Sequence, residues 1–113
     1  MLTQDQKDQL ELLTKHEKYG ELLICAINTW ETATPKQGYY LTPNKECCLI
    51  GAAAGESVLS PSRTVANSFE LAIEEIWSIS DGFENAHRHY SLDNCLVDSW
   101  NFGKAVADIV IEK

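Results

Sequence analysis

The sequence predicts a mainly α-helical single domain, residues 1–113, with four or five helices packed around one short β-hairpin at about residues 38–49. Three observations carry that expectation. Apolar residues recur at helical spacing in three separate stretches. These are Tyr19, Leu22-Leu23, Ala26-Ile27 and Trp30; then Val65-Ala66, Phe69, Ala72-Ile73 and Ile76-Trp77; then Leu92, Leu96, Trp100, Gly103, Val106-Ala107 and Val110. Breakers separate them, Thr34-Pro35 after the first and Asp81-Gly82 after the second. Finally, 113 residues that are 44% hydrophobic, with no repeat or linker, suit one core.

Each element has its own local reason. Thr3 can cap a first helix, with Gln6 as the capping-box partner. Lys15, His16 and Lys18 before Gly20 resemble a helix C-terminus, so residues 3–33 are either two helices jointed near Gly20 or one helix with a weak point. Glycine within a helix costs only ~1 kcal/mol and does not decide between them. In the hairpin, Tyr39-Tyr40-Leu41 leads into a type I turn at Thr42-Pro43-Asn44-Lys45, and Cys47-Cys48-Leu49-Ile50 returns. Gly51-Ala52-Ala53-Ala54-Gly55 then reads as a helix almost without side chains, which neighbours can approach closely.

Ser60-Pro61 opens the next helix, which Asp81-Gly82 closes. Phe83 to Tyr90 is irregular or a single turn, and Ser91 or Asp93 caps the last helix. The run Ile109-Val110-Ile111 either continues that helix or ends as a strand. The small helix and the last helix form the expected centre, with Gly51, Ala52, Gly55, Trp30, Trp100 and Gly103 as its structural hub. Trp30, Trp77 and Trp100 each fall on an apolar stripe and read as core.

Nine Lys and Arg against seventeen Asp and Glu give a formal charge of −8. That balance argues against gripping a nucleic-acid backbone or an anionic membrane surface. No apolar run is long enough to span a bilayer and the N-terminal residues have no apolar signal core, so a cytoplasmic location is expected. The four cysteines, Cys25, Cys47, Cys48 and Cys95, do not resemble a disulfide framework and suit a reducing compartment.

Chemistry is thinly signalled. Asp81, Glu84, His87, His89 and Asp93 form the densest polar cluster, but their spacing matches no zinc finger, zincin helix or calcium loop. A Cys47 or Cys48 nucleophile with His16, His87 or His89 as base has no local motif behind it. Gly51 and Gly55 lack the Lys-Ser/Thr of a phosphate loop. No cofactor is implied, and an enzyme is the less favoured class.

The quoted residues resemble a family of small uncharacterised bacterial and phage proteins, a domain of unknown function. Such proteins run a helix into a Trp and a Gln-Gly, matched by Trp30 and Gln37-Gly38. A Cys-Leu-x-Gly-Ala helix follows, here Cys48-Leu49-Ile50-Gly51-Ala52, then a Gly-Phe-acid turn, here Gly82-Phe83-Glu84. They close on a Gly-containing helix, matched by Trp100 to Ala107 with Gly103. This chain has Glu84 where Asp is usual. The resemblance implies a mobile-element or bacterial origin and a cytoplasmic location, and it carries over no catalytic residue.

The leading expectation is therefore a small acidic, non-enzymatic protein-binding module, such as a phage or mobile-element accessory protein that inhibits or modulates a host factor. Its partner surface would be the acidic face of Glu70, Leu71, Glu74, Glu75, Asp81 and Glu84, with one of Tyr39 or Tyr40 facing water. The alternative is a small-ligand or metal site on the Asp81–Asp93 turn, using Cys48, Asp81, His87 and His89. A homodimer through an exposed apolar patch is the third option.

Overall fold

The computed structural model describes residues 2–38, 45–55, 60–85 and 96–111. Among these it is mainly helical, in the order α1 (Gln4–Leu13), α2 (Gly20–Thr29), β1 (Thr34–Pro35), β2 (Glu46–Cys47), α3 (Leu49–Ala54), α4 (Pro61–Ser68), α5 (Ile73–Glu84) and α6 (Val97–Val110). One core, including Leu10, Leu22, Trp30, Ile50, Ile79 and Val106, is shared by all six helices and extends to Val65 on α4.

The N-terminal stretch resolves as two helices. The capping box at Thr3 and Gln6 is formed, with the Gln6 N–H donating to Thr3 Oγ1 at 3.1 Å and the Thr3 N–H to Gln6 Oε1 at 2.9 Å. The joint lies just before Gly20, where His16 Nδ1 accepts the backbone N–H groups of Lys18 and Tyr19. A Cβ on Gly20 would overlap the Thr14 carbonyl, so the tight turn itself requires glycine.

Among the described residues the strand pairing is parallel, not that of a hairpin, with Thr34 opposite Glu46 and Pro35 opposite Cys47. The aromatic run and turn over 39–44 lie outside the described residues. The Thr34 N–H donates to the Lys45 carbonyl at 2.8 Å and the Lys36 N–H to the Cys47 carbonyl at 3.0 Å. In such a ladder alternate residues face the partner, so Pro35, which has no N–H, costs it no bond. The Pro that ends the first helical region thus also serves as an edge residue.

Cys48 acts as N-cap of α3, its Sγ accepting the Gly51 N–H at 3.4 Å, and Gly55 at φ +84° ends the helix in a conformation suited to glycine. Leu49, Ile50, Gly51 and Ala52 are buried, and Thr29 on α2 donates its hydroxyl to the Ala52 carbonyl at 2.6 Å.

The region from Pro61 onward reads in sequence as one helix ending at Asp81-Gly82, but it is two helices that break elsewhere. Glu70 adopts φ +55°, and the Leu71 N–H reaches back to the Ala66 carbonyl at 2.9 Å. This is a Schellman ending with glutamate in the usual glycine position. Leu71, expected on a polar partner-facing surface, is the apolar residue that follows such a turn, and it packs half-buried against the core. The break resets the helical phase. The stripe from Val65 to Trp77 is therefore a composite of two helices, and on α5 the buried face is Ile76, Ile79, Gly82 and Phe83. Trp77 falls outside that face and is exposed, contrary to its reading as core.

Gly82 does not break α5. It and Gly103 of α6 are the places where the two helices meet. A Cβ on Gly82 would overlap the Trp100 carbonyl, and one on Gly103 would overlap the Ile79 carbonyl and lie 2.9 Å from the Phe83 nitrogen. This pairing is the most extensive contact between described elements, which moves the centre from α3 to the α5–α6 crossing. The caps expected at Ser91 or Asp93 lie outside the described residues; α6 begins after Leu96, whose N–H donates to Ser78 Oγ at 3.0 Å. Ile109 and Val110 continue α6, and Ile111 after it is extended.

Gly103→Ala forces backbone apart where no side chain can yield. It is expected to cost about 1–3 kcal/mol or more, seen as a fall in Tm of roughly 5–20 °C. An unchanged melting curve would show that the two helices do not meet backbone to backbone.

Candidate functional site

Two polar networks among the described residues lie at the two ends of α5. At its N-terminal end, Glu75 joins three elements. One oxygen, Oε2, accepts the Ala72 N–H at 3.0 Å and so caps α5 itself. The other, Oε1, accepts the Tyr19 hydroxyl at 2.9 Å and the Lys18 ammonium at 3.0 Å. Tyr19 thereby spends its only proton on Glu75. Its 2.6 Å contact with Ser99 Oγ must then run from serine to tyrosine. His16 stacks on Tyr19 with centroids 4.7 Å apart and meets the edge of Phe102 at 5.1 Å.

Burial works to raise the Glu75 pKa, but the Lys18, Tyr19 and Ala72 bonds outweigh it and hold the carboxyl below its ordinary value. Burial, partly offset by the Ser99 bond, pushes the Tyr19 phenol up, and the bond to Glu75 raises the Lys18 ammonium. These residues line a cleft of about 330 Å³ between the α1–α2 turn and the first turn of α6, with Leu96, Val97 and Asp98 on the α6 side.

At the C-terminal end, the Gln37 amide donates to the Phe83 carbonyl at 2.7 Å and the Glu84 carbonyl at 3.2 Å, closing the last turn of α5. The half-buried Glu84 carboxylate accepts the Gly38 N–H. Gly38 sits at φ +91°, where glycine is favoured. Trp30 stacks on Phe83 at 6.2 Å and donates from Nε1 to the Cys47 carbonyl at 3.2 Å. The Trp, Gln-Gly, Cys-Leu and Gly-Phe-acid motifs, distant in sequence, therefore meet at one junction.

Glu84 is held uncomfortably. Burial raises its pKa, the Gly38 N–H only partly offsets this, and the negative charge of Asp81 adds to it. Its position at a helix C-terminus is also unfavourable for a carboxylate. Cys48 feels the same field: burial first, and the Glu84 charge in addition, push its thiol up to about 11. Burial likewise raises Cys47. Neither thiol is poised as a thiolate nucleophile.

The acidic residues expected on one partner-facing surface are divided. Glu70 and Glu74 are exposed, Glu75 is tied to three partners, and Glu84 is half-buried against Gly38. Asp81 is half-buried and accepts the Asn85 amide at 3.2 Å. His87 and His89 lie outside the described residues, and among those described no group of three or more His, Cys, Asp or Glu is placed to hold a metal. Of the hub residues, Gly51, Ala52, Trp30, Trp100 and Gly103 are buried and Gly55 is half-buried.

Two features escaped sequence reasoning. One is the Ser99–Tyr19–Glu75–Lys18 chain, whose trace is a lone serine on the buried face of the last helix, beside Trp100, where an unpartnered hydroxyl would be costly. The other is the exposure of Trp77, hidden by the phase reset at Glu70. No helix among the described residues is long and apolar enough to cross a membrane. Comparison with known proteins finds no matching family model, no matching curated protein and no matching solved structure.

The raised Glu84 pKa means that the fold favours its protonated form. That stabilisation is complete below the ordinary glutamate value and is lost as pH rises through the folded value. Glu84→Gln, which keeps an acceptor for Gly38 without the charge, should raise Tm by a few degrees at pH 7 and lose the advantage near pH 4; a lower Tm at pH 7 would show the charge to be stabilising. In native protein, alkylation mapped by mass spectrometry should label half-exposed Cys25 well before buried Cys48. Equal rates would contradict the burial assigned to Cys48.

Proposed function

We propose that this protein is a small acidic, non-enzymatic binding module that docks a protein partner through the surface around Trp77. The observation carrying this reading is the exposure of that tryptophan. Trp77 is 56% exposed, whereas Trp30 and Trp100 are 0% and 6% exposed. Placing an indole in water is unfavourable without a use, and Trp is among the residues most enriched at interface hot spots. Leu96 and Val97 are also exposed, and the Leu96 N–H bonds to Ser78, the residue after Trp77. Large apolar side chains are thus open to solvent on α5 and at the start of α6, and the Leu96–Ser78 bond ties the two elements one residue from Trp77.

The rim of this patch is acidic. Glu74 and Asp81 share the Trp77 side of α5 by helical spacing, and Asp98 follows Val97. With a net charge of −8, complementarity favours a basic partner. In this reading the protein is a cytoplasmic accessory protein that modulates a host factor, and the free thiols of Cys25, Cys47 and Cys48 suit a reducing compartment.

The test is capture from a bacterial lysate by the immobilised full chain, run beside Trp77→Ala matched for Tm. A protein retained by the wild type should bind the variant about 30-fold or more weakly and should elute earlier at high salt. Equal capture by both would sink the proposal. A wild-type dimer in sedimentation that Trp77→Ala dissociates would reassign the patch to self-association.

A further inference from the structure

Building on the protein-binding reading above, we infer that the cleft at the start of α6 receives an arginine side chain of the partner. The cleft is linked to the Trp77 region through Leu96, which lines it and whose N–H bonds to Ser78, the residue after Trp77. A volume of about 330 Å³ lies at the small end of ligand clefts and has room for one long side chain. Its lip is aliphatic, which suits the methylene stem of a long basic residue. Two carboxylates, Glu75 and Asp98, line it.

The free protein already places a cation there. Lys18, with 63% of its side chain exposed, rests its ammonium on Glu75 at 3.0 Å, while the Glu75 side chain is only 12% exposed. Only the Lys18 end of this pair is exposed, so its ammonium can give way to another cation while Glu75 keeps its Tyr19 and Ala72 bonds. The unfavourable element is the partial positive charge of the α6 N-terminus, and Asp98 lies in that first turn to offset it. An incoming anion would meet both carboxylates, with Lys18 already engaged.

Arginine fits better than lysine because of the exposed His16. One face of its ring is stacked on Tyr19, and the ring belongs to the cleft wall. A planar guanidinium can stack on the imidazole and pair with a carboxylate at its edge, whereas an ammonium has no plane to stack.

The test is an NMR titration of the full chain with N-acetyl-argininamide, beside N-acetyl-leucinamide and sodium acetate at matched ionic strength. The arginine probe should give saturable shifts at the backbone amides of His16, Val97, Asp98 and Ser99, weakened about fivefold in Asp98→Asn and unchanged in Trp77→Ala. No saturable shift, equal saturation by either control, or no effect of Asp98→Asn would overturn it. Arginine binding alongside equal lysate capture by Trp77→Ala would leave the cleft standing and remove the docking function. Loss of capture without arginine binding would do the reverse.

Discussion

The fold depends on one contact that has no side chain in it. Gly82 and Gly103 let α5 and α6 meet backbone against backbone, each glycine lying against the other helix's carbonyls. Helices usually pack through interdigitated side chains at 8–10 Å. Removing those side chains brings the axes closer and leaves only one workable register. Around that register Ile76, Ile79 and Phe83 from α5 and Phe102, Val106 and Ala107 from α6 complete the core. A sub-ångström change at the crossing would have to be absorbed by all of them, because densely packed interiors leave no slack.

Fixing α5 also fixes where its two ends go. One end delivers Glu75 to the turn between α1 and α2, where Tyr19 and Lys18 wait, and to Ser99 on α6 through the tyrosine. The other delivers its last carbonyls to Gln37 and its Glu84 carboxylate to Gly38. The two carboxylates answer to opposite physics. Glu75 lies near a helix N-terminus with an ammonium and a hydroxyl, and its ionised form is favoured. Glu84 lies at a helix C-terminus, where burial and the charge of Asp81 hold its pKa above the ordinary value. Trp77 lies between these ends and is exposed to water.

The helical character was legible because periodicity is a local property. Thr3, Pro61 and the α6 stripe from Trp100 through Gly103 and Val106 to Val110 stand where spacing and capping place them, whereas Leu96 of the same stripe precedes the helix and is exposed. Three things were not legible, each for a non-local reason. A glutamate in the left-handed position at residue 70 carries no mark in sequence, so the α4–α5 break and the fate of Leu71 and Trp77 were hidden. Gly82 reads as a breaker until its partner Gly103 is known, since a glycine in a helix is explained only by what presses against it. The pairing of residues 34–35 with 46–47 depends on a connection whose ends meet in space. For the candidate site, the acidic residues could be named but not separated into tied Glu75, strained Glu84 and exposed Glu74, because those differences come from partners on other elements.

The most direct measurement of the α5–α6 claim is native-state amide hydrogen exchange. If the crossing holds the fold, the amides of residues 79–83 and 102–106 should be the slowest in the molecule and should exchange only through global unfolding, both sets with the same free energy and denaturant dependence. Should either segment exchange through a smaller, local opening while α2 and α3 remain protected, the glycine crossing would not be the contact on which the fold depends.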